Sequence, residues 1–258
     1  MLVEKFLRAA NERDVLAAAL VLEEMSNLNR RYETLAGNTL IGYATVCEMT
    51  PIVQKLLERR ANPDIAEDED WAPIHFASRM GLSEILHLLI KHGADLESRT
   101  SMGETALILA CGNNRSHVAE VLISAGADVN AVDISRYSPL HFACMSGDVR
   151  VGELLLDSGA DVCATNTADT TPLHVVAGLG NQRFTQLLLS RQSKVDPRDD
   201  EGNTPLHRAA MSGDVGTCKL LLDAGASLSV INDRGYTAIN LATIDHRASV
   251  VDLLLTYM

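Results

Sequence analysis

The chain has 258 residues and a formal net charge of −12, from 22 basic and 34 acidic side chains. Its 36 leucines and 30 alanines, set against four Phe, one Trp and five Tyr, favour closely packed helices over a β-sandwich or barrel. The acidic balance argues against nucleic acid or an anionic membrane as partner; it permits a basic protein partner, although solubility alone also explains it.

In chain order, the first segment carries Glu4, Lys5, Arg8, Glu12 and Arg13, which break any signal-peptide core. Its apolar run Leu16–Leu22 is far shorter than the ~20 residues a membrane span needs. The five cysteines are odd in number and lack CxxC spacing, so a reducing compartment, cytoplasm or nucleus, is expected.

From residue 39 onward the chain repeats every 33 residues, with equivalent tetrapeptides starting at 39, 72, 105, 138, 171, 204 and 237. Thr171–His174 and Thr204–His207 read TPLH, Ser138–His141 reads SPLH and Ala72–His75 reads APIH. Thr39–Gly42, Thr105–Ile108 and Thr237–Asn240 hold the same place. Thr or Ser is a good N-cap, and Pro is best tolerated at the next position, so each tetrapeptide opens a short helix. That helix ends at glycines such as Gly81, Gly147, Gly180 and Gly213. A second helix follows, with apolar residues at helical spacing, as at Ile85, Leu88 and Leu89, and a Gly such as Gly93 or Gly126 ends it. The polar stretch after it, such as Asp133–Tyr137, projects as a finger. One such unit cannot bury its apolar face alone, so neighbours must stack.

These motifs, TPLHxAAxxG and LLxxGAD in seven registers, resemble the ankyrin repeat over nearly the whole chain. The resemblance implies an all-α solenoid with short β-hairpin fingers. Residues 1–31 read as a divergent capping repeat, because Ala9–Asp14, Leu20–Leu22 and Asn27–Asn29 match the later pattern without the opening turn. The link from Arg30 to Thr39 is two residues longer than its counterpart between Ala131 and Ser138. The expectation is a single array over 1–258: a cap plus seven repeats.

His75, His141, His174 and His207 recur one per repeat, too far apart to converge on one ion, and are read as buried imidazoles tying fingers to helices. His87 and His92 do not share a helix face. Cys111 and Cys144 are read as small core residues, and Cys163 as a loop residue with no base beside it. No GxxxxGK[ST], HExxH or GxSxG motif occurs. Asn114-Arg115-Ser116 is a formal glycosylation sequon, expected to be silent in a reducing compartment. No cofactor, metal or catalytic set is expected.

The resemblance further implies protein binding through the fingers and the inner face of the first helices. On those positions repeats two to four carry Trp71, Met80, Met102, Ile134, Tyr137 and Met145, with Asp68, Glu69, Arg79 and Glu104 beside them. Apolar anchors bordered by charge suit an interface; the competing reading is that some of them pack finger against helix. The run Glu67–Asp70 is either a solvated tip or a contact for a basic segment. Leu122–Asn130 is similar to ankyrin loops that an asparaginyl hydroxylase modifies, which makes Asn130 a candidate; alternatively it caps its own loop. The functional expectation is a monomeric, non-enzymatic scaffold or adaptor. The alternative is a recognition segment of a larger enzyme, ubiquitin-ligase subunit or channel. Repeats five and seven are expected to be weak, because Gln192 replaces a turn Gly and Asn240 a His.

Overall fold

The computed structural model describes residues 1–32, 39–66 and 68–258. Most of the link from Arg30 to Thr39, and Glu67 of the acidic run, lie outside the described residues. The chain divides into two compact units, Met1–Ile134 and Ser135–Met258.

In each unit the described α-helices come in pairs. The N-terminal unit holds α1 (Leu2–Asn11) with α2 (Val15–Glu23), α3 (Leu40–Val46) with α4 (Thr50–Glu58), α5 (Pro73–Met80) with α6 (Ser83–Lys91), and α7 (Ala106–Gly112) with α8 (Ser116–Ser124). The C-terminal unit holds α9 (Pro139–Ser146) with α10 (Val149–Asp157), α11 (Pro172–Leu179) with α12 (Gln182–Ser190), α13 (Pro205–Ser212) with α14 (Val215–Asp223), and α15 (Ala238–Ile244) with α16 (Ala248–Thr256). The first pair is the divergent cap. Within each unit first helices pack on first helices, such as α5 on α7, and second helices on second helices, such as α4 on α6.

The opening tetrapeptides act as the sequence implies. Thr39 Oγ1 accepts the Gly42 amide at 3.1 Å, and Pro73, Pro139, Pro172 and Pro205 sit at the first helical position. Helices of seven to nine residues are too short to persist alone; their stability comes from packing. Their buried faces are built from Leu, Ile, Val and Ala, such as Ile74, Ala77, Ile85 and Leu89. Cys111 and Cys144 belong to this core.

The four histidines tie fingers to helices. In His75 the Nδ1 atom accepts the Ala72 amide at 2.9 Å, and Nε2–H donates to the Ser98 carbonyl at 2.9 Å. His141, His174 and His207 accept their own cap amides and donate to the carbonyls of Thr170, Asn203 and Tyr236, each 29 residues on. Burial pushes the imidazoles of His75, His174 and His207 below the usual value, so they stay neutral.

Among the described residues no strand forms. The fingers are hairpins of minimal size. In one, Asp199 N–H bonds to the Asn203 carbonyl, Gly202 N–H to the Asp199 carbonyl, and Asp200 N–H to the carbonyl of Ala168 in the preceding finger. A single bond between adjacent fingers is too little to make a ladder. From Ala72 onward the turn residue two before each cap is left-handed whatever its identity: Asp70, Gly103, Arg136, Asp169, Gly202 and Gly235.

Candidate protein-binding surface

Among the described residues no group of three or more His, Cys, Asp or Glu side chains could hold a metal ion. Cys144 is fully buried, and burial raises its thiol well above the usual range; that of Cys218 is pushed up to about 12. Thiols held protonated in this way are poor nucleophiles. Cys163 is half-buried, its amide donating to Asp161 Oδ1 at 2.9 Å.

The informative feature is where large apolar side chains meet water. In the N-terminal unit, beyond α2, these are Val46 on α3 and the finger residues Met102 and Ile134, 54% and 61% exposed. No such side chain is exposed on α4, α6 or α8. In the C-terminal unit they are Met145, Leu179 and Ile244 on or ending first helices, and Ile231 and Tyr236 on a finger. The second helices α10, α12 and α14 expose none; the exceptions lie at the end of the chain, at Leu255, Tyr257 and Met258. Scattered exposed apolar residues are normal; here, apart from Val15, Leu16 and Leu20 on α2 and the residues at the two chain ends, they fall on fingers and first helices.

Of the ten residues singled out from sequence for partner binding, eight fall in the N-terminal unit. Ile134 N–H bonds to the Met102 carbonyl at 3.0 Å, which sets these two exposed side chains on adjacent fingers. The fit at Gly103 is close: a Cβ there would stand 2.9 Å from the Ile134 nitrogen. Asp68, Glu69 and Asp70 are exposed at the preceding fingertip, where Glu69 and Asp70 both adopt positive φ. The Glu69 carbonyl accepts the Ser101 amide at 2.8 Å. Trp71 at the base of that finger is half-buried, 6.0 Å and edge-on from the His75 ring and 5.0 Å from the Phe76 ring. The guanidinium of Arg79 lies over the indole, 5.4 Å from its centroid. Met80 is half-buried, and so is Glu104, whose amide and carboxylate both engage Thr100.

Tyr137 and Met145 belong to the C-terminal unit. Tyr137 repeats the geometry of Trp71, with its ring edge-on to His141 at 5.5 Å and tilted to Phe142 at 5.9 Å. Both aromatic side chains therefore brace a finger against its helix and still present part of a ring to solvent. Sequence reading passed over Phe76 and Phe142. A signal existed: Phe follows His only at Phe76 and Phe142, and in both of those repeats an aromatic residue, Trp71 or Tyr137, stands just before the cap.

Asn130 is exposed, with its amide donating to Asp128 Oδ1 at 2.9 Å in a side-chain-closed turn.

Helix pairs at a 33-residue period, joined by fingers and tied by histidine, define a stacked repeat protein. The family description "Ankyrin repeats (3 copies)" matches residues 6–100, 96–166, 140–232 and 173–258. The chain belongs to the ankyrin-repeat family, a protein–protein interaction fold. It is similar to the ankyrin repeat domain of human ASB11, with a TM-score of 0.77 and 26% identity over 86% of this chain and 98% of that one. Human 2-5A-dependent ribonuclease is 40% identical over 81 residues, 31% of this chain and 11% of that protein. Human ankyrin repeat and SOCS box protein 11 is 35% identical over 85 residues, 33% of this chain and 26% of that protein. The chain thus matches 11% and 26% of the length of these curated relatives. No described helix is long and apolar enough to cross a membrane.

Proposed function

We propose that the protein is a non-enzymatic scaffold or adaptor that binds a protein or peptide partner on the finger and first-helix side of its repeats. The observation that carries this reading is the confinement of exposed large apolar side chains to those positions in the repeats between the two chain ends. In the N-terminal unit Met102 and Ile134 are the apolar anchors, with Trp71, Met80, Arg79 and Glu104 beside them, and the tip carboxylates Asp68 and Glu69 attract a basic segment. Tyr137 and Met145 offer the same chemistry within the C-terminal unit. The chain acts as a monomer in the cytoplasm or nucleus, in keeping with its free cysteines and acidic balance.

The test is quantitative capture from cytosol with wild type, Met102→Asp, Trp71→Ala and Arg191→Ala. Arg191 pairs with Asp157 at 2.7 Å on the second-helix side and serves as control. A partner lost with the first two variants and kept with the third supports the reading; the reverse pattern refutes it.

Partial coverage of longer relatives favours a second reading, in which this chain is the recognition segment of a larger enzyme, ubiquitin-ligase subunit or channel. The size of the endogenous protein on a blot decides between them. The exposed Asn130 is the hydroxylation candidate of the array; mass spectrometry after co-incubation with the hydroxylase checks it, and modification elsewhere with Asn130 untouched removes the idea.

A further inference from the structure

In a chain with 34 acidic and 22 basic side chains, an arginine without a carboxylate partner does not lack candidates. Arg8, Arg13, Arg191, Arg198, Arg208 and Arg234 all make ion pairs. Arg79 and Arg115 make none with a described residue, nor do Arg59, Arg99, Arg183 and Arg247, but Arg79 and Arg115 are both held at one helix end. Arg79 lies across the Trp71 indole in the last turn of α5, where the helix carbonyls favour a cation. Arg115 reaches back from the start of α8, donates Nε–H to the Arg79 carbonyl at 2.9 Å and lies over Gly81; a Cβ on that glycine would meet its stem at 2.9 Å. Two guanidinium groups are thus anchored to one helix end by stacking and backbone contact, and neither makes an ion pair with a described residue.

A stacked guanidinium keeps its rim of N–H donors directed outward, the geometry that matches a carboxylate through two parallel bonds. Holding the group in advance removes part of the side-chain entropy that binding would otherwise cost. The finger before Trp71 carries the opposite charge. Asp68, Glu69 and Asp70 are exposed, and their side chains make no ion pair with a described residue.

We propose that Arg79, with Arg115 behind it, is the carboxylate-binding end of the partner surface in the N-terminal unit. The bound segment carries an acidic side chain at the end of α5 and a basic side chain at the fingertip, and this order sets its direction on the surface. The inference rests on the reading that the finger and first-helix side is the docking surface.

Random-peptide display against the full chain supplies the probes. Trp71 is the chain's one tryptophan, so its fluorescence reports binding beside Arg79 directly. Selected peptides should share an acidic and a basic residue at a fixed spacing and should change Trp71 emission saturably. Arg79→Gln should weaken them tenfold or more, and Arg79→Lys less, because it keeps the charge and loses the fork. Replacing the peptide's acid by Gln should cost nothing further in Arg79→Gln, and Asp70→Asn should relax only the basic preference. Melting temperatures should not change, since these side chains are exposed. Peptides with no acidic preference, or with equal affinity for Arg79→Gln, overturn this inference and leave the docking surface intact. Peptides indifferent to Met102→Asp and Ile134→Asp, or no selected peptide at all, overturn the docking surface and the inference together.

Discussion

Repeats two and six each carry an arginine on the first helix beside the finger base, and the two are held in opposite ways. In repeat six, Arg208 Nε and Nη2 donate to Asp199 Oδ2 at 2.9 and 2.6 Å, and the Asp199 side chain is fully buried. The other oxygen, Asp199 Oδ1, accepts the amides of Glu201 and Asn203, and Glu201 also pairs with Arg234 at 3.1 Å. In repeat two, Arg79 rests on an aromatic face and the nearby acids stand exposed at the tip. A charge answered from inside its own finger is largely withdrawn from solvent, whereas one propped on a ring stays exposed to it.

The largest effect should come from dismantling the repeat-six arrangement. Asp199→Ala strands Arg208 and two finger amides, and should cost about 3 kcal/mol, the low end for breaking a buried pair, because a third of Arg208 reaches water. Urea unfolding measures it; a loss under 1 kcal/mol would mean the pair is ornamental. On the other side of the comparison, Trp71→Ala should lower partner affinity by about 2 kcal/mol with only a modest fall in melting temperature, from the lost contacts to His75 and Phe76. Calorimetric titration with the captured partner tests this, and a collapse in stability instead would show that the ring serves only to brace the finger.

Acid should separate the two units. His75 in the N-terminal unit, and His174 and His207 in the C-terminal unit, have folded-state pKa values lowered by burial. Their contribution is complete above the ordinary imidazole value of 6.5 and is lost as pH falls toward the lowered folded values, because the unfolded chain then binds more protons. Amide exchange at pH 7.5 and 5.5 should show the larger loss of protection in the C-terminal unit. Equal loss in both would sink that assignment.

The smallest effect concerns a turn. After α12 the left-handed residue is Gln192, where repeat two has Gly93 after α6. Gln192→Gly should stabilise the C-terminal unit by about 1 kcal/mol, detectable as slower local exchange. The strain is not confined to repeats five and seven as the sequence implied. Arg13, Glu48, Arg60 and Asn114 are left-handed at corresponding turns of the N-terminal unit, so several repeats share the penalty.

Sequence by itself determined the helix pairs, their phase, the caps and the histidine ties. Each depends on residue types at short, repeated spacings, and the 33-residue period states them many times over. The classes of surface position were equally legible, but their occupants were selected from repeats two to four alone, and Leu179, Ile231, Tyr236 and Ile244 were left out although they are exposed. What only the tertiary structure decided is how individual side chains are held. Nothing in the spacing says that Arg115 reaches the Arg79 carbonyl 36 residues earlier, that Arg79 lies on Trp71, or that Asp199 turns inward to meet Arg208. Those outcomes depend on side-chain torsions and on the packing of neighbouring repeats, which a periodic pattern of residue types constrains in register but not in direction.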